Sequence, residues 1–261
     1  MEVASYDLPA QIGKVQAVTG AEKITYMGYS HGSFLMFLGL AMSQEANNYY
    51  ADNLKKFIAL APCIYYESEF ETSEELIAVY KLYEQKGVYW TTAPIKSENE
   101  KWEEMQLGRS ESTQNKDEQS ATLQPMSVAS QFYIEQIAME RTFQEYKPLE
   151  SYASTLGVFS TWATPLDLGQ VKNVNIHMIV PEYDDVCLPA HSVLIFDELG
   201  TEQKTMRYIR HNEGLPPEHD YFEKVGGNRF VTELIRSIQE DSEDDIAAME
   251  PFEVAGLYIA G

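Results

Sequence analysis

The feature that most constrains this chain is a glycine-bounded turn near its start. A run typical of a β-strand, Ile24-Thr25-Tyr26-Met27, leads into Gly28-Tyr29-Ser30-His31-Gly32, and an apolar stretch with helical spacing follows from Phe34. The motif alone is short enough to occur by chance. Between a strand and a helix, however, a Gly-x-Ser-x-Gly turn lifts the serine hydroxyl clear of the sheet and directs the first free N–H groups of the helix towards it. We therefore predict that Ser30 is a nucleophile, and that a side chain at either flanking glycine would collide with its neighbours.

Helix and strand patterns alternate around this turn. A helix is predicted from about Ser5 to Val18, and a second one from the turn to Asn47-Asn48, which is expected to break it. The apolar run Phe57–Pro62 has the length of a strand that is covered on both faces. This order predicts an α/β fold with a parallel sheet.

The middle of the chain has a different pattern. Helical stretches at Glu74–Tyr83 and Val128–Phe143 flank a polar segment, Ser97–Ser120, which we interpret as an exposed or mobile loop. No convincing buried strand occurs there. An all-helical insertion in an α/β chain is typical of a lid over an active site, although an ordinary helical subdomain would have the same pattern.

The sheet pattern resumes towards the end of the chain. Strands are predicted at Asn175–Val180 and Thr205–Ile209, and helices at Pro189–Leu199 and Phe230–Ile238. The expected organisation has four segments: a core with the nucleophile turn at 1–65, a helical insertion at 66–160, the rest of the core at 161–240, and an acidic tail at 241–261.

An activated serine needs a base, a group that orients the base, and donors for the oxyanion. Residues just beyond the carboxyl ends of parallel strands share one crevice. Asp184 and Asp185 follow one predicted strand, and His219 lies in the loop after the next. The order Ser, Asp, His is that of the α/β-hydrolase fold. We predict His219 as the base and prefer Asp184 to Asp185 as its orienter, although either carboxylate could be only a turn residue.

Four further histidines have other interpretations. His31 directly follows the serine, so its backbone N–H is the predicted oxyanion donor, and its side chain is expected at the rim of the pocket. His177 lies within a strand and is expected to be packed or to face the surface. His191 and His211 are interpreted as surface residues.

Charge and cysteine content limit the remaining classes of function. The formal net charge of -22 makes nucleic acid and anionic membrane surfaces unfavourable partners. Cys63 and Cys187 end predicted strands, where buried thiols are the default, and a disulfide between them stays open. No metal-ligand spacing occurs.

Met1–Asp7 lacks the pattern of a signal peptide, and no apolar run reaches the roughly 18 residues of a membrane span, so no stable membrane anchor is expected.

Six collinear features of the chain match one known group of proteins. Two of them concern the turn and the following strand: the turn aligns with G-H-S-Q-G, and Phe57–Pro62 aligns with F-x-A-L-A-P. The others are Tyr6–Ala10 with Thr19-Gly20 before the turn, Pro165–Leu168 against P-x-Y-D-L, Pro189 five residues after Asp184, and His219 with Phe222 against H-x-D-F. With these features the chain resembles the acid lipase family of α/β-hydrolases, which includes the gastric and lysosomal enzymes.

The resemblance implies an α/β-hydrolase fold with a helical cap insertion, and hydrolysis of lipid esters such as acylglycerols or sterol esters. Ser30 would form the acyl-enzyme, His219 would transfer the proton, and Asp184 would orient the imidazole. Neither a metal nor an organic cofactor would be needed. A lysosomal or secreted location is implied, whereas the sequence gives no oligomeric state.

Several positions depart from the family pattern. The family's N-terminal strands, and the His-Gly loop that supplies a second oxyanion N–H, have no counterpart in this sequence, so the expected sheet lacks them. Tyr29 and His31 replace His and Gln, and Asp220 follows His219 by one position rather than two. The alternative expectation is therefore a truncated, non-catalytic α/β-hydrolase remnant that acts as a binding protein. A third is a thioesterase or peptidase, because a triad does not choose its leaving group.

Overall fold

The structure is a computed structural model that describes residues 2–68, 70–87, 90–91, 126–146, 165–209, 217–223, 232 and 254–259. The predicted loop Ser97–Ser120 and His211 lie outside these residues, as does the predicted helix Phe230–Ile238 apart from Thr232.

The described elements follow the order expected for an α/β chain. The helices are α1 (Leu8–Thr19), α2 (His31–Ala41), α3 (Gln44–Asn53), α4 (Ser73–Gln85), α5 (Val128–Glu140) and α6 (Pro189–Glu198), with a π-helical turn at Val3–Asp7 and 3-10 turns at Leu168–Gln170 and His219–Glu223. The strands are β1 (Ile24–Tyr29), β2 (Leu54–Leu60), β3 (Trp90–Thr91), β4 (Met126–Ser127), β5 (Ile176–Pro181), β6 (Lys204–Ile209) and β7 (Val254–Ile259).

The chain divides into two compact units. The first comprises Met1–Ile64 together with Leu166–Gly261, and the second is the intervening Tyr65–Pro165. The first unit contains a five-stranded sheet in the order β1-β2-β5-β6-β7. Its first four strands are mutually parallel, and β7 pairs antiparallel with β6. Helices α1, α2, α3 and α6 pack on the strands of this sheet, so the described part of the first unit has an α/β architecture consistent with a partial α/β-hydrolase fold.

Burial explains why the central strands form. In β2 the residues Phe57, Ile58 and Ala59 have no exposed surface, so both faces of the strand are covered, as its continuous apolar run predicts. Eight of the eleven residues of helix α2 are also buried, and its Phe37 ring meets the Phe57 ring edge to face at 5.0 Å between centroids. Burial of α2 on nearly all sides fixes the chain directly after Ser30.

A second apolar cluster lies towards the carboxyl ends of the strands. It joins the strand residues Ile58, Leu60, Ile179 and Ile209 to Ala61 and to Tyr221 and Phe222 of the last 3-10 turn. Met27 and Tyr29 of β1 pack against it. This cluster supports the loops that emerge from β1, β5 and β6.

One predicted boundary is wrong. Asn47-Asn48 does not end the helix that follows the turn; instead α2 stops at Ala41 and α3 begins at Gln44. The hydroxyl of Ser43 accepts a hydrogen bond from the N–H of Ala46 at 3.1 Å and so caps a new helix. Asn48 Oδ1 accepts from Gln44 Nε2 at 2.9 Å within that helix.

The segment Val254–Ile259, which is predicted as part of the acidic tail, instead forms strand β7 at an edge of the sheet. Its pairing with β6 includes Met206 opposite Tyr258 and Arg207 opposite Leu257.

The second unit contains helices α4 and α5 and the short antiparallel pair β3–β4. An aromatic cluster joins the two helices, with the rings of Tyr80 and Phe132 at 4.6 Å between centroids. Thr72 and Ser127 cap α4 and α5 through their hydroxyls. A lid role for this insertion stays a prediction. Within the described residues, no helix is long and apolar enough to cross a bilayer.

Candidate active site

Ser30 stands on a strained turn between β1 and α2. Its backbone has φ 50° and ψ −115°, a conformation that L-residues with side chains rarely adopt. The N–H of Ser30 donates to the carbonyl of Leu60 on β2 at 2.9 Å, which continues the sheet for one residue beyond β1. The sheet on one side and the buried helix α2 on the other therefore hold Ser30 in this strained conformation.

The two glycines of the motif have different roles. A Cβ at Gly28 would lie 2.7 Å from the backbone atoms of Gly32 and Ser33, which cannot move without opening the turn. A Cβ at Gly32 would meet only the Tyr26 hydroxyl at 3.8 Å, which is an ordinary contact. The expected collision is therefore correct for Gly28 and wrong for Gly32.

Ser33 stabilises the turn, a role that the sequence analysis missed. Its fully buried hydroxyl donates to the carbonyl of Ser30 at 2.6 Å and accepts from the N–H of Cys63 at 3.2 Å. The signal in the sequence was a small hydroxyl residue three positions after the nucleophile, where it can reach back to the start of the helix.

His219 lies between Ser30 and Asp184. Its Nε2 is 2.8 Å from the Oγ of Ser30, and its Nδ1 is 2.9 and 3.0 Å from the two carboxylate oxygens of Asp184. The structure therefore brings together the three residues that the chain order predicts. A nucleophile, a ring with two nitrogens and a carboxylate in this sequence can pass a proton from the serine to the imidazole.

The two neighbouring aspartates have different surroundings. The Asp184 side chain is inaccessible, and its Oδ1 also accepts from the N–H groups of Val186 at 3.0 Å and Cys187 at 2.7 Å. Asp185 is exposed. Asp184, rather than Asp185, is therefore the carboxylate that contacts His219.

Tyr29 contacts His219 directly and was also missed. Its hydroxyl donates to the backbone carbonyl of His219 at 2.9 Å, and the two rings stack at 5.5 Å between centroids. The Phe222 ring meets Tyr29 edge to face at 5.8 Å. The available signal was an aromatic residue inside the turn motif itself, directly before the predicted nucleophile.

The loops that carry Asp184 and His219 are joined through their backbones. The N–H of Tyr183 donates to the carbonyl of Pro217 at 3.0 Å, and the N–H of Glu182 donates to Ile209 at 2.9 Å. The acid and base loops therefore continue the pairing between β5 and β6 beyond the ends of these strands.

His31 begins α2 immediately after Ser30, so its backbone N–H belongs to the first turn, where helix N–H groups have no partner within the helix. Its ring stacks on Phe34 at 5.5 Å between centroids. Its Nδ1 is buried and has no partner among the described residues. Burial lowers the pKa of this imidazole, which favours the neutral ring.

Two other histidines lie away from this arrangement. His177 Nδ1 is 2.6 Å from the hydroxyl of Thr205 on the neighbouring strand. Burial, assisted by the positive charges of Lys56 and Arg207, lowers the pKa of His177 to about 4. His191 lies in the first turn of α6, as its sequence position predicts.

Cys63 and Cys187 form a disulfide, with 5.1 Å between their Cα atoms. The default interpretation as buried thiols is therefore wrong, although both residues are buried. Asp184, Cys187 and His219 form the one cluster of potential metal ligands in the described part of the chain. The sulfur is in a disulfide, and the other two groups bond to each other, so we assign no metal to this cluster.

Several curated proteins match this chain, each over a short stretch of its sequence. No family model matches the chain. Lipase lipl-3 of Caenorhabditis elegans is 49% identical over 61 residues, which are 23% of this chain and 14% of that protein. Gastric triacylglycerol lipase of Mus musculus is 41% identical over 73 residues, which are 27% of this chain and 18% of that protein. The matched stretches thus span less than a fifth of these curated relatives, which are lipases.

Among solved structures, a monoacylglycerol lipase from Paleococcus ferrophilus aligns with 90% of this chain and 75% of its own, at a TM-score of 0.49 and 14% identity.

Proposed function

We propose that this protein is a serine ester hydrolase that acts on lipid esters through an acyl-enzyme on Ser30. The observation that carries the proposal is the continuous contact from the Ser30 hydroxyl through His219 to the inaccessible Asp184 carboxylate, with no distance above 3.0 Å. Three residues far apart in the chain, each of which follows a strand of the parallel sheet, meet in this order.

The proposed reaction has two halves. The Ser30 Oγ attacks the ester carbonyl while His219 Nε2 takes its proton, and the collapse of the tetrahedral intermediate sends that proton to the leaving alcohol. Water then attacks the acyl-enzyme while His219 takes a proton from it, and the imidazolium returns this proton to Ser30 Oγ as the carboxylic acid leaves. Asp184 holds the proton on Nδ1 and stabilises the imidazolium that forms in each half.

We assign oxyanion stabilisation to the backbone N–H of His31. This group follows the nucleophile at the start of α2, where the free N–H groups and the helix dipole favour negative charge. The strained backbone at Ser30, with φ 50°, supports the assignment, because in a nucleophile turn of this kind the N–H of the following residue donates to the oxyanion.

The names of the curated relatives support lipid esters as the substrate class. The surroundings of His219 also support this class: its ring stacks on Tyr29, and Tyr29 packs against an apolar cluster that contains Tyr221 and Phe222. Apolar surroundings of this kind suit acyl chains better than polar acyl groups.

The test is labelling with a fluorophosphonate probe, which reacts with an activated serine. Folded protein is expected to be labelled at Ser30, and Ser30→Ala is expected to abolish labelling and ester turnover. Ser43→Ala is a matched control, because that serine caps α3 and lies outside the triad. Folded wild-type protein without label at Ser30 would contradict the proposal and favour a non-catalytic binding protein.

A second measurement addresses the substrate. p-Nitrophenyl esters of increasing acyl length, assayed beside a thioester and a peptide anilide, are expected to give the highest turnover for the longer esters. Preference for the thioester or the anilide would retain the triad and reject lipid esters as the substrate class.

A further inference from the structure

The Cys63–Cys187 disulfide connects the two loops that carry opposite ends of the triad. Cys63 follows β2 and contacts the nucleophile turn, whereas Cys187 follows β5 and belongs to the acid loop. Paired positions of the two strands extend to Leu60 and Ile179, so Cys63 and Cys187 both lie beyond the part that the sheet itself holds.

On the nucleophile side, the contact runs through Ser33. The N–H of Cys63 donates to the Ser33 hydroxyl at 3.2 Å, and that hydroxyl donates to the carbonyl of Ser30 at 2.6 Å. Two successive hydrogen bonds through the Ser33 hydroxyl therefore link the backbone of Cys63 to the backbone of Ser30.

On the acid side, the contact is direct. The N–H of Cys187 donates to Asp184 Oδ1 at 2.7 Å, the same oxygen that lies 3.0 Å from His219 Nδ1. The position of Cys187 thus helps to set the direction in which the carboxylate faces the imidazole.

These contacts form a closed ring. It runs from Ser30 through Ser33 to Cys63, across the disulfide to Cys187, then through Asp184 and His219 back to the Ser30 hydroxyl. We propose that the disulfide, with Ser33, is a positioning element that fixes the acid loop relative to the nucleophile turn. Its catalytic consequence rests on the proposed ester hydrolase function, whereas its effect on the Asp184–His219 contact does not.

Burial agrees with a positioning role. Cys63 and Cys187 are each 1% exposed and Ser33 is not exposed at all, so water does not compete for the links that these three residues make. Errors of about 1 Å in the placement of catalytic groups lower rates by roughly two orders of magnitude, so a link of this kind matters for rate as well as for stability.

The first experiment compares the wild-type chain with the double variant Cys63→Ala/Cys187→Ala. Peptide mapping without reductant is expected to show the linked pair in the wild type. Well below both melting temperatures, the second-order rate of fluorophosphonate labelling is expected to fall at least tenfold in the double variant. Equal rates, or free thiols at both positions in the wild type, would overturn the proposal.

A second pair of variants keeps the disulfide and tests the other link. Ser33→Ala removes the hydroxyl between Cys63 and Ser30 and is expected to slow labelling several-fold, whereas Ser33→Thr retains a hydroxyl and is expected to restore part of the rate. Ser192→Ala is the matched control, because Ser192 is also fully buried but its hydroxyl has no partner among the residues described. An equal loss in Ser33→Ala and Ser192→Ala would show a general packing effect and reject the role of Ser33.

A spectroscopic readout separates this inference from the proposed function. The hydrogen-bonded Nδ1 proton of His219 gives a low-field proton resonance that requires no turnover. It is expected in the wild type and is expected to broaden or disappear in the double cysteine variant. If the wild type is not labelled at Ser30, the hydrolase proposal fails, and this resonance still decides the positioning role. An unchanged resonance in the double variant would reject that role.

Discussion

Tyr29 fixes His219 at two points, because its hydroxyl donates to the His219 carbonyl at 2.9 Å while its ring stacks on the imidazole. The residue that precedes the nucleophile thus also supports the base, 190 positions away along the chain. The base loop is therefore held by the nucleophile turn as well as by the Asp184 carboxylate.

The first prediction concerns Tyr29→Phe, which removes the hydroxyl and retains the ring. A hydrogen bond of this type contributes about 0.5–1.5 kcal/mol to stability, so we expect the melting temperature to fall by a few degrees. Because this bond also positions the base, we expect ester turnover to fall roughly two- to tenfold, the rate equivalent of the same free energy. Tyr49→Phe is the control, because its hydroxyl bonds to Pro9 in α1. Equal turnover in the wild type and Tyr29→Phe would remove Tyr29 from the site.

The second prediction concerns the two glycines of the motif. Gly28→Ala places a methyl group 2.7 Å from backbone atoms, so we expect a loss of about 1–3 kcal/mol or more in the free energy of unfolding, together with loss of labelling at Ser30. The methyl group of Gly32→Ala meets only a side-chain hydroxyl at 3.8 Å, so its free energy of unfolding is expected to stay within about 1 kcal/mol of the wild type. Urea unfolding measures both. Similar losses in the two variants would contradict this distinction.

The third prediction separates the neighbouring aspartates. Asp184→Asn retains the shape of the side chain but disturbs the tautomer that His219 needs, and we expect turnover to fall by about three to four orders of magnitude. Asp185→Asn changes an exposed residue and is expected to leave turnover within about twofold of the wild type. Steady-state kinetics on one p-nitrophenyl ester compare the two. A larger loss in Asp185→Asn would transfer the role to that residue.

The fourth prediction concerns acid stability. His177 has a pKa of about 4 in the folded protein, below the ordinary value of about 6.5, so protons bind the unfolded chain more tightly. The neutral His177 contributes up to about 3 kcal/mol to the free energy of unfolding. This contribution is fully present above about pH 6.5 and is lost as the pH falls towards 4. We expect urea unfolding at pH 7 and pH 4.5 to show a smaller difference in His177→Gln than in the wild type. His191→Gln is the control, and the same acid loss in His177→Gln and the wild type would contradict the prediction.

The proximity of Ser30, Asp184 and His219 could be predicted because each follows the end of a strand. Parallel strands place their carboxyl ends at one edge, so residues after β1, β5 and β6 are expected to lie close together. The choice of Asp184 over Asp185 depends on which side chain turns inward. In the structure, the backbone N–H groups of Val186 and Cys187 donate to the Asp184 carboxylate and hold it in its inward orientation.

The supporting contacts could not be predicted in the same way. The roles of Tyr29, Ser33 and the cysteine pair depend on distances between loops that are far apart in the chain, and local pattern carries no information on such distances. Strand β7 was missed for a related reason, since its place is set by pairing with β6. The boundary between α2 and α3 was missed because Ser43 offered a stronger capping signal than the two asparagines offered as breakers.

The disulfide has a consequence for a cleaved chain. It closes a loop across 124 positions that contains the whole of the second unit, Tyr65–Pro165. A single cut in that unit separates the polypeptide into one fragment with Ser30 and another with Asp184 and His219. Because Cys63 and Cys187 lie on opposite sides of the cut, the two fragments stay covalently joined. Such a nicked protein would migrate as one band without reductant and as two with it, while Ser30, Asp184 and His219 remain on a single molecule.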